Sequence, residues 1–297
     1  MVVAVPTAAK SGLKDAAAFG GSSWILHERA RRHHWNGVGS LSIKSFFSGR
    51  AQYKVGCGYH AVDESSYLVL NEGQGYEIEI ESRQPVESFC LFFAPEFASD
   101  VQRSLSTRAQ RLLDDPERQS ATPVRFFEKN YAHDDLLSPA LWRLRRSYAK
   151  QERGALAEQF HGIVERLLNV HELAAKETES LDNVRAATRQ ELFRRVCRAR
   201  DYANAMFAQS VTLAELARVA CMSPNHLLRT FRQLFHRTPH QFLVDRRLEE
   251  AKRLLANEEL TVTDICLGVG FESLGSFSAL FRKRFGCSPS EWRTGKR

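Results

Sequence analysis

The sequence predicts an α+β protein in two parts, on three observations. Between Trp24 and Ala94, short runs alternate apolar and polar residues with a period of two. From Pro95 the apolar spacing becomes helical. The stretch from Thr212 to Trp292 then states one pattern twice. Phe231-Arg-Gln-Leu-Phe235, followed by Thr238-Pro239 and Phe242, returns 50 residues later as Phe281-Arg-Lys-Arg-Phe285, Ser288-Pro289 and Trp292. Leu227 recurs as Phe277 at the same offset. Thr212-Leu-Ala-Glu215 recurs as Thr261-Val-Thr-Asp264 at an offset of 49, because the second copy has one more residue between its helices. Two copies in register define a tandem pair of helix-turn-helix units.

Composition and charge narrow the class. The formal charge of +7 lies entirely from residue 190 onward, where 18 Lys and Arg face 11 Asp and Glu; the preceding residues carry 24 of each. That asymmetry predicts a polyanionic partner for the C-terminal part alone. The six cysteines have no paired C-x-x-C spacing, so neither a zinc site nor a disulfide framework is expected. Cys221 and Cys266 read as small buried hydrophobes of the repeat. Residues 1–22 lack a signal-peptide apolar core, and no run approaches the ~18 apolar residues of a membrane span. A soluble, cytoplasmic protein is expected.

In order along the chain, residues 1–22 read as a flexible tail. Residues 23–176 form the first domain, with strands over about 24–94 and helices over about 97–176. Leu41-Ser-Ile-Lys-Ser-Phe-Phe47, Tyr53-Lys-Val55 and Tyr76-Glu-Ile-Glu-Ile-Glu81 alternate; Ser66–Leu70 and Val86–Phe93 are denser apolar runs. Short strands with Gly and Asp between them predict a small barrel or sandwich. Helices are expected over Phe97–Leu113, from an N-cap at Ser138 with Pro139 behind it, and over Ala155–Lys176. The last carries Leu156, Phe160, Ile163, Leu167, Val170 and Ala174 at heptad-like spacing. We read that seam as a two-fold dimer contact, with packing on the chain's own barrel as the alternative. Polar residues 177–187 are the expected linker. Thr188-Arg-Gln-Glu191 spells a capping box that opens the second domain, 188–297, whose first helix carries Arg194, Arg195, Arg198 and Arg200.

The two units span 212–236 and 261–286. In the first, a capping box at Thr212 opens a short helix to Ala220, and Ser223 caps a second helix from Pro224. Leu216, Leu227 and Phe231 should face the core, leaving Asn225, Leu228, Arg229 and Arg232 outside. The second helix of such a motif enters the major groove. Arg229 suits the O6 and N7 of guanine, Asn225 suits adenine, and Arg232 sits better for a phosphate. In the second unit, Gly270 permits the turn and Ser273 caps the next helix. Its outer positions are Leu274, Gly275, Ser276, Ser278 and Ala279, none a long polar side chain. The pair is therefore expected to be unequal, the second unit anchoring through Ser273, Ser276, Arg282, Lys283 and Arg284, with Leu274 against a thymine methyl. Residues 240–256 predict an amphipathic connector helix about 26 Å long, with Phe242, Leu243, Leu248, Leu254 and Leu255 inward and Arg246, Arg247, Glu249, Glu250, Lys252 and Arg253 outward. A connector of that length sets two recognition helices roughly one duplex turn, ~34 Å, apart.

Residues 188–293 closely resemble the DNA-binding domain of the AraC/XylS family of bacterial transcription regulators. The resemblance rests on Val269-Gly-Phe-Glu-Ser273, Phe277-Ser-Ala-Leu-Phe-Arg-Lys-Arg-Phe-Gly286, Ser288-Pro-Ser-Glu-Trp-Arg293 and Met222-Ser-Pro-Asn-His-Leu-Leu-Arg-Thr-Phe231. It implies base-contacting positions at Asn225, Leu228 and Arg229, and at Leu274, Gly275, Ser276 and Ser278. Family members often carry Gln, His or Thr where this chain has Leu274 and Gly275, in line with the unequal pair. The first domain resembles the family's cupin-like sensor barrel in layout. By implication the partners are double-stranded DNA, a second copy of the chain, a small-molecule effector or other signal, and RNA polymerase. His33-His34, His60 and Glu64 do not reproduce the His-x-His spacing of metal-binding cupins, so no metal, cofactor or catalytic residue is expected. The alternative is a cupin-type enzyme fused to a DNA-binding module; a third reading is an architectural DNA-binding protein without a sensor.

Overall fold

The computed structural model describes residues 3–4, 22–106, 123–150, 153–181 and 185–295. It divides into two compact units, Met1–Glu179 and Ser180–Arg297. The fold is α+β: a nearly closed antiparallel barrel with helices in the first unit, helices alone in the second. Most of the expected N-terminal tail lies outside the described residues; within it, β1 (Val3–Ala4) pairs in parallel with Ser23 and Trp24.

The barrel is built on one long ribbon. β2 (Ser23–Gly39) and β7 (Gln74–Phe92) pair antiparallel from Trp24↔Phe92 to Gly39↔Gln74. The sequence pattern divides β7 into two strands, and the structure joins them. The register slips where Ala30↔Val86 gives way to Arg32↔Glu81, so the residues around Pro85 form a bulge. Proline has no N–H to give to a ladder, and a bulge needs none there. Beyond the bulge the second half of β7 pairs with β3 (Ser42–Ser48), and the first half pairs with β4 (Ala51–Val55). β4 continues into β5 (Gly58–Val62), while β3 pairs with β6 (Ser66–Leu70) and β6 with β8 (Asn130–Ala132). Asn130 Nδ2 donates to the Ala61 carbonyl (2.7 Å), drawing β8 towards β5 and almost closing the barrel. Phe46, Tyr53, Val62, Leu68, Leu70, Tyr76, Ile78 and Ile80 fill one inner cluster.

Helices cover part of the outside. α1 spans Phe97–Ser106, and the rest of the helix expected to Leu113 lies outside the described residues. α2 spans Ser138–Ser147 but is not capped by Ser138: its N-cap is Leu137, without a side-chain bond. The capping acceptor is Asp134 Oδ1, which takes the Leu136 and Leu137 amides at 2.9 and 2.6 Å. The Ser138 hydroxyl instead accepts the Asp134 amide (3.1 Å). α3 spans Arg153–Glu177. Its seam corrects the dimer reading: Leu156, Phe160, Ile163, Leu167, Val170 and Ala174 are all buried within the chain itself. Phe160 meets Phe93 edge to face, 5.5 Å between centroids. The heptad spacing reflects a narrow stripe docked on the unit's own helices and β-structure.

The described residues of the expected linker are mostly helical. α3 ends at Glu177, a 3-10 turn covers Thr178–Ser180, and α4 (Ala186–Ala205) starts before Thr188. Arg185 is its N-cap, with no side-chain bond, so Thr188 caps nothing. Glu191 pairs four and three residues on, one helical turn away, with Arg195 (2.8 Å) and Arg194 (4.0 Å), instead of reaching back. Among the described residues no helix is long and apolar enough to cross a membrane.

One carboxylate knits strands and helix together in the first unit. Glu87 on β7 is nearly buried and accepts from His27 Nε2 (2.9 Å), Arg29 (3.0 and 2.7 Å) and Arg145 of α2 (Nε, 2.8 Å). Burial opposes ionisation, but the bonds from His27, Arg145 and Arg29 outweigh it and hold the carboxyl at about 2. A carboxyl depressed in the folded state stabilises above its ordinary value of 4.5 and loses that contribution as pH falls towards about 2. Glu87→Gln should flatten the acid limb of the stability curve in that window and lower neutral-pH stability by about 3 kcal/mol. Urea unfolding across the same pH range checks both.

Candidate nucleic-acid interface

The second unit repeats one piece of local chemistry. α5 (Leu213–Val219) is capped by Thr212, whose hydroxyl accepts the Glu215 amide (3.1 Å). The reciprocal half of the expected capping box is missing, because the Glu215 carboxylate accepts the Tyr202 hydroxyl. α6 (Pro224–Phe235) is capped by Ser223 and ends in a left-handed His236. In the second copy, α8 (Val262–Gly268) has a full capping box between Thr261 and Asp264. Ser273 caps α9 (Leu274–Phe285), which ends in left-handed Gly286. A short α10 (Pro289–Arg293) follows, with its own capping box from Ser288 and Glu291.

One core joins both copies. Leu216, Leu227 and Phe231 share a buried cluster with Ile265, Cys266, Phe277 and Phe281. The outer faces are as the sequence predicts. On α6, Asn225, Arg229 and Arg232 are exposed and Leu228 half-buried. On α9, Leu274, Gly275, Ser276 and Arg282 are exposed, as is the cap Ser273, while Ser278 is half-buried. Leu274 keeps 43% of its surface, an apolar side chain left in the open on an otherwise small and basic face. Arg282 lies 3.9 Å from Glu291, a loose pair between two exposed groups.

The turns differ from expectation at one residue. Cys221, expected in the core, is exposed with φ 51°. It is the left-handed turn residue of the first copy, as Gly270 (φ 92°) is of the second. The amide of the residue after each turn closes the motif: Met222 donates to Ala217 O and Phe271 to Cys266 O. Arg195 of α4 also donates to the Cys221 carbonyl (3.2 Å), so this arginine supports the turn.

The connector corrects a second expectation. α7 spans Pro239–Leu254 behind a Thr238–Gln241 capping box. Leu243 and Leu248 point inward as expected, but Arg246 and Arg247 are not a solvated face. Arg247 donates to the carbonyls of Phe207 (2.7 Å) and Gln209 (2.8 Å), and burial pulls its pKa down. Arg246 donates to Asn204 (2.8 Å) and pairs with Glu250 (3.1 Å). Both guanidiniums fasten α7 to the end of α4 and the turn after it. No periodicity separates a clamping arginine from a solvated one; the only signal was two adjacent arginines bordering the apolar stripe. Arg200 is likewise held, by buried Asp201 (2.7 Å).

Two short helices joined by a left-handed turn, made twice on one core, define a tandem helix-turn-helix domain. Residues 216–295 match the family model described as "Helix-turn-helix domain". The chain is 33% identical over 92 residues to the uncharacterized HTH-type transcriptional regulator YdiP of Escherichia coli, covering 31% of this chain and 30% of that one. It is 24% identical over 253 residues to the virulence regulon transcriptional activator VirF of Yersinia enterocolitica, covering 84% of this chain and 87% of VirF. A probable AraC family transcriptional regulator from Rhodopseudomonas palustris matches with 28% identity and a TM-score of 0.33, covering 35% of this chain and 97% of that one. The chain spans only 30% to 44% of the length of several of its curated relatives, YdiP among them. The C-terminal domain is a helix-turn-helix domain similar to those of AraC-type transcription regulators.

The two turns give a matched test. A Cβ on Gly270 would lie 2.6 Å from the backbone oxygen of Ala208, in a conformation already hostile to side chains. Gly270→Ala should therefore destabilise the chain by more than about 2 kcal/mol. Cys221→Gly should be neutral or stabilise by up to about 1 kcal/mol, since it relieves a left-handed L-residue. Equilibrium denaturation of the two variants measures both signs.

Proposed function

We propose that the chain is a sequence-specific DNA-binding transcription regulator of the AraC/XylS type, governed by a small molecule or other signal at its N-terminal unit. The observation that carries the reading is the pair of capped helices, α6 and α9, which share one core and leave Asn225, Arg229, Arg232, Ser276 and Arg282 free to face a duplex. The excess positive charge of the chain, all of it from residue 190 onward, supports a polyanionic partner for this unit.

Within this reading the two helices divide the work. Arg229 and Asn225 read bases, Leu228 packs beside them, and Arg232 holds a phosphate. Ser273, Ser276, Ser278 and Arg282 anchor the second helix on the backbone, Gly275 lets it approach closely, and Leu274 packs on a thymine methyl. The partners are double-stranded DNA, a second copy of the chain, an effector at the first unit and RNA polymerase, the last by family likeness alone. Because the α3 seam is spent within the chain, the second copy docks on another surface. Among the described residues no three His, Cys, Asp or Glu side chains are grouped to hold a metal ion.

Selection of bound sites from random or genomic DNA tests the proposal, and a domain that selects no consensus overturns it. Arg229→Ala should lose roughly 1–3 kcal/mol of discrimination at one base pair. Arg282→Ala should weaken binding to all sequences alike and reduce the slope of log affinity against log salt by about one. Competition binding at several salt concentrations separates the two effects.

A further inference from the structure

The strand pairing of the barrel sets two nucleophiles against each other. Lys44 on β3 lies directly opposite Cys90 on β7 in the antiparallel ladder, and both are buried. Residues so paired share a face with Cβ atoms roughly 5 Å apart, within the swing of a lysine side chain. Lys44 Nζ donates to the Tyr76 hydroxyl (3.1 Å) and lies 3.7 Å from the centroid of Phe92. Burial draws its pKa down to about 8, so at neutral pH it holds a far larger share of free amine than an exposed lysine.

The sulfur is surrounded by donors. Burial pushes the Cys90 thiol up, with Glu28 adding to it, but the Lys44 ammonium, the Ser45 amide and the Tyr53 hydroxyl oppose that, the last two through hydrogen bonds to sulfur. Cys266, the buried cysteine of the helical core, has burial alone acting on it. A cysteine kept only as a small hydrophobe needs no such donors. A cavity of about 30 Å³ touches Cys90, Lys44 and Tyr53 and extends to exposed Glu28. Since a water needs ~10–15 Å³ of such space, the cavity takes a molecule of two heavy atoms, the size of hydrogen peroxide. No second cysteine lines it, so the nucleophile beside an oxidised Cys90 is the Lys44 amine.

We propose that Cys90 and Lys44 form a peroxide-responsive site that closes as a sulfenamide cross-link between β3 and β7. The Cys90 sulfur attacks one oxygen of hydrogen peroxide; the O–O bond breaks, sulfur gives up two electrons, and a sulfenic acid and one water result. The free amine of Lys44 then attacks that sulfur. An S–N bond forms, the S–O bond breaks, and the hydroxyl leaves with an amine proton as a second water. Thiol, amine and one hydrogen peroxide thus give the sulfenamide and two waters. Two equivalents of an external thiol reverse the link, returning thiol and amine and leaving one disulfide. The bridge removes a buried charge and staples two strands at a rung where they already pair.

The test treats the folded full chain with a small excess of hydrogen peroxide. Peptide mass spectrometry should find the Lys44 and Cys90 peptides joined and lighter by two hydrogen atoms, and dithiothreitol should part them. The same treatment in urea should give no link, because the pairing belongs to the fold. Lys44→Met should lose the link and leave a Cys90 sulfenic acid that dimedone traps. The proposal is overturned if Cys90 stays a thiol while exposed Cys57 and Cys221 oxidise, if it joins another cysteine, or if the link forms equally in urea. The wild-type masses decide this even where a variant folds poorly. As the signal of the first unit, the site rests on the regulator reading. Affinity for a selected DNA site should then change roughly tenfold on oxidation of the wild type and stay constant in Cys90→Ala. A link without that change overturns its role as a signal. A link in a chain that selects no DNA sequence sinks the regulator and leaves the cross-link standing.

Discussion

The presentation of both recognition helices depends on how the connector is fastened. α5 and α8 are each of seven residues, and such helices do not stand alone in water. Their stability comes from packing, and α7 supplies the shared wall with Leu243, Leu248, Ala251 and Leu255 in the cluster that holds both copies. Arg246 and Arg247 then lock that wall to the end of α4 through neutral oxygens of Asn204, Phe207 and Gln209. On the far side, Arg284 meets Glu249 at 3.5 Å, and Lys252 lies over the rings of Phe285 and Trp292. The exposed pair adds little energy, but the arginine bonds to partly buried carbonyls cannot be lost without stranding acceptors. On the proposed function, such rigidity would favour contact with a duplex at two places, since the helices need not be ordered on binding.

The two sides of the barrel wall treat charge in opposite ways. On the outer side, Glu87 is ringed by His27, Arg29 and Arg145, so its burial is compensated several times over and its role is to hold α2 against the strands. On the inner side, Lys44 faces rings and a single hydroxyl. Two buried ions of one unit thus differ in how they are compensated: one by charged partners, the other by a hydroxyl and ring faces.

The C-terminal domain was legible in the sequence because its signals are local. Thr212, Ser223, Thr261 and Ser273 all cap the helices they were expected to cap, each accepting an amide three residues on. Buried Leu216, Leu227 and Phe231 follow from helical spacing alone. What failed were readings in which local pattern and tertiary contact compete. Thr188-Arg-Gln-Glu191 has the letters of a capping box, yet Ala186 and Ala187 extend the helix upstream and Glu191 finds arginines instead. The heptad seam of α3 has the spacing of a dimer contact, yet the chain's own strands and helices cover it. The joining of β7 across Pro85 was hidden for the same reason, since a bulge is set by the partner strand. Strand alternation put Lys44 on the face shared with Phe46, but no pattern in one strand tells whether a lysine has a counter-ion across the lumen.

The two turns show how duplicated units diverge under one geometric demand. Both need a residue in the left-handed region between their helices, and both close on the same bond from the following amide. In the second copy that residue packs against the Ala208 carbonyl, so close that no Cβ fits, and only glycine meets the demand. In the first copy the same position faces solvent, and the chain tolerates Cys221 at the modest cost of an L-residue at positive φ. The strain is borne where space allows it, and Arg195 bonds to that turn's carbonyl. The identity of a turn residue thus reports which copy is wedged against the rest of the domain. The second unit is the wedged one, and its helix carries small side chains and a basic end in place of long polar side chains. The less wedged first unit bears Asn225 and Arg229, so packing constraint and side-chain chemistry divide the two copies along the same line.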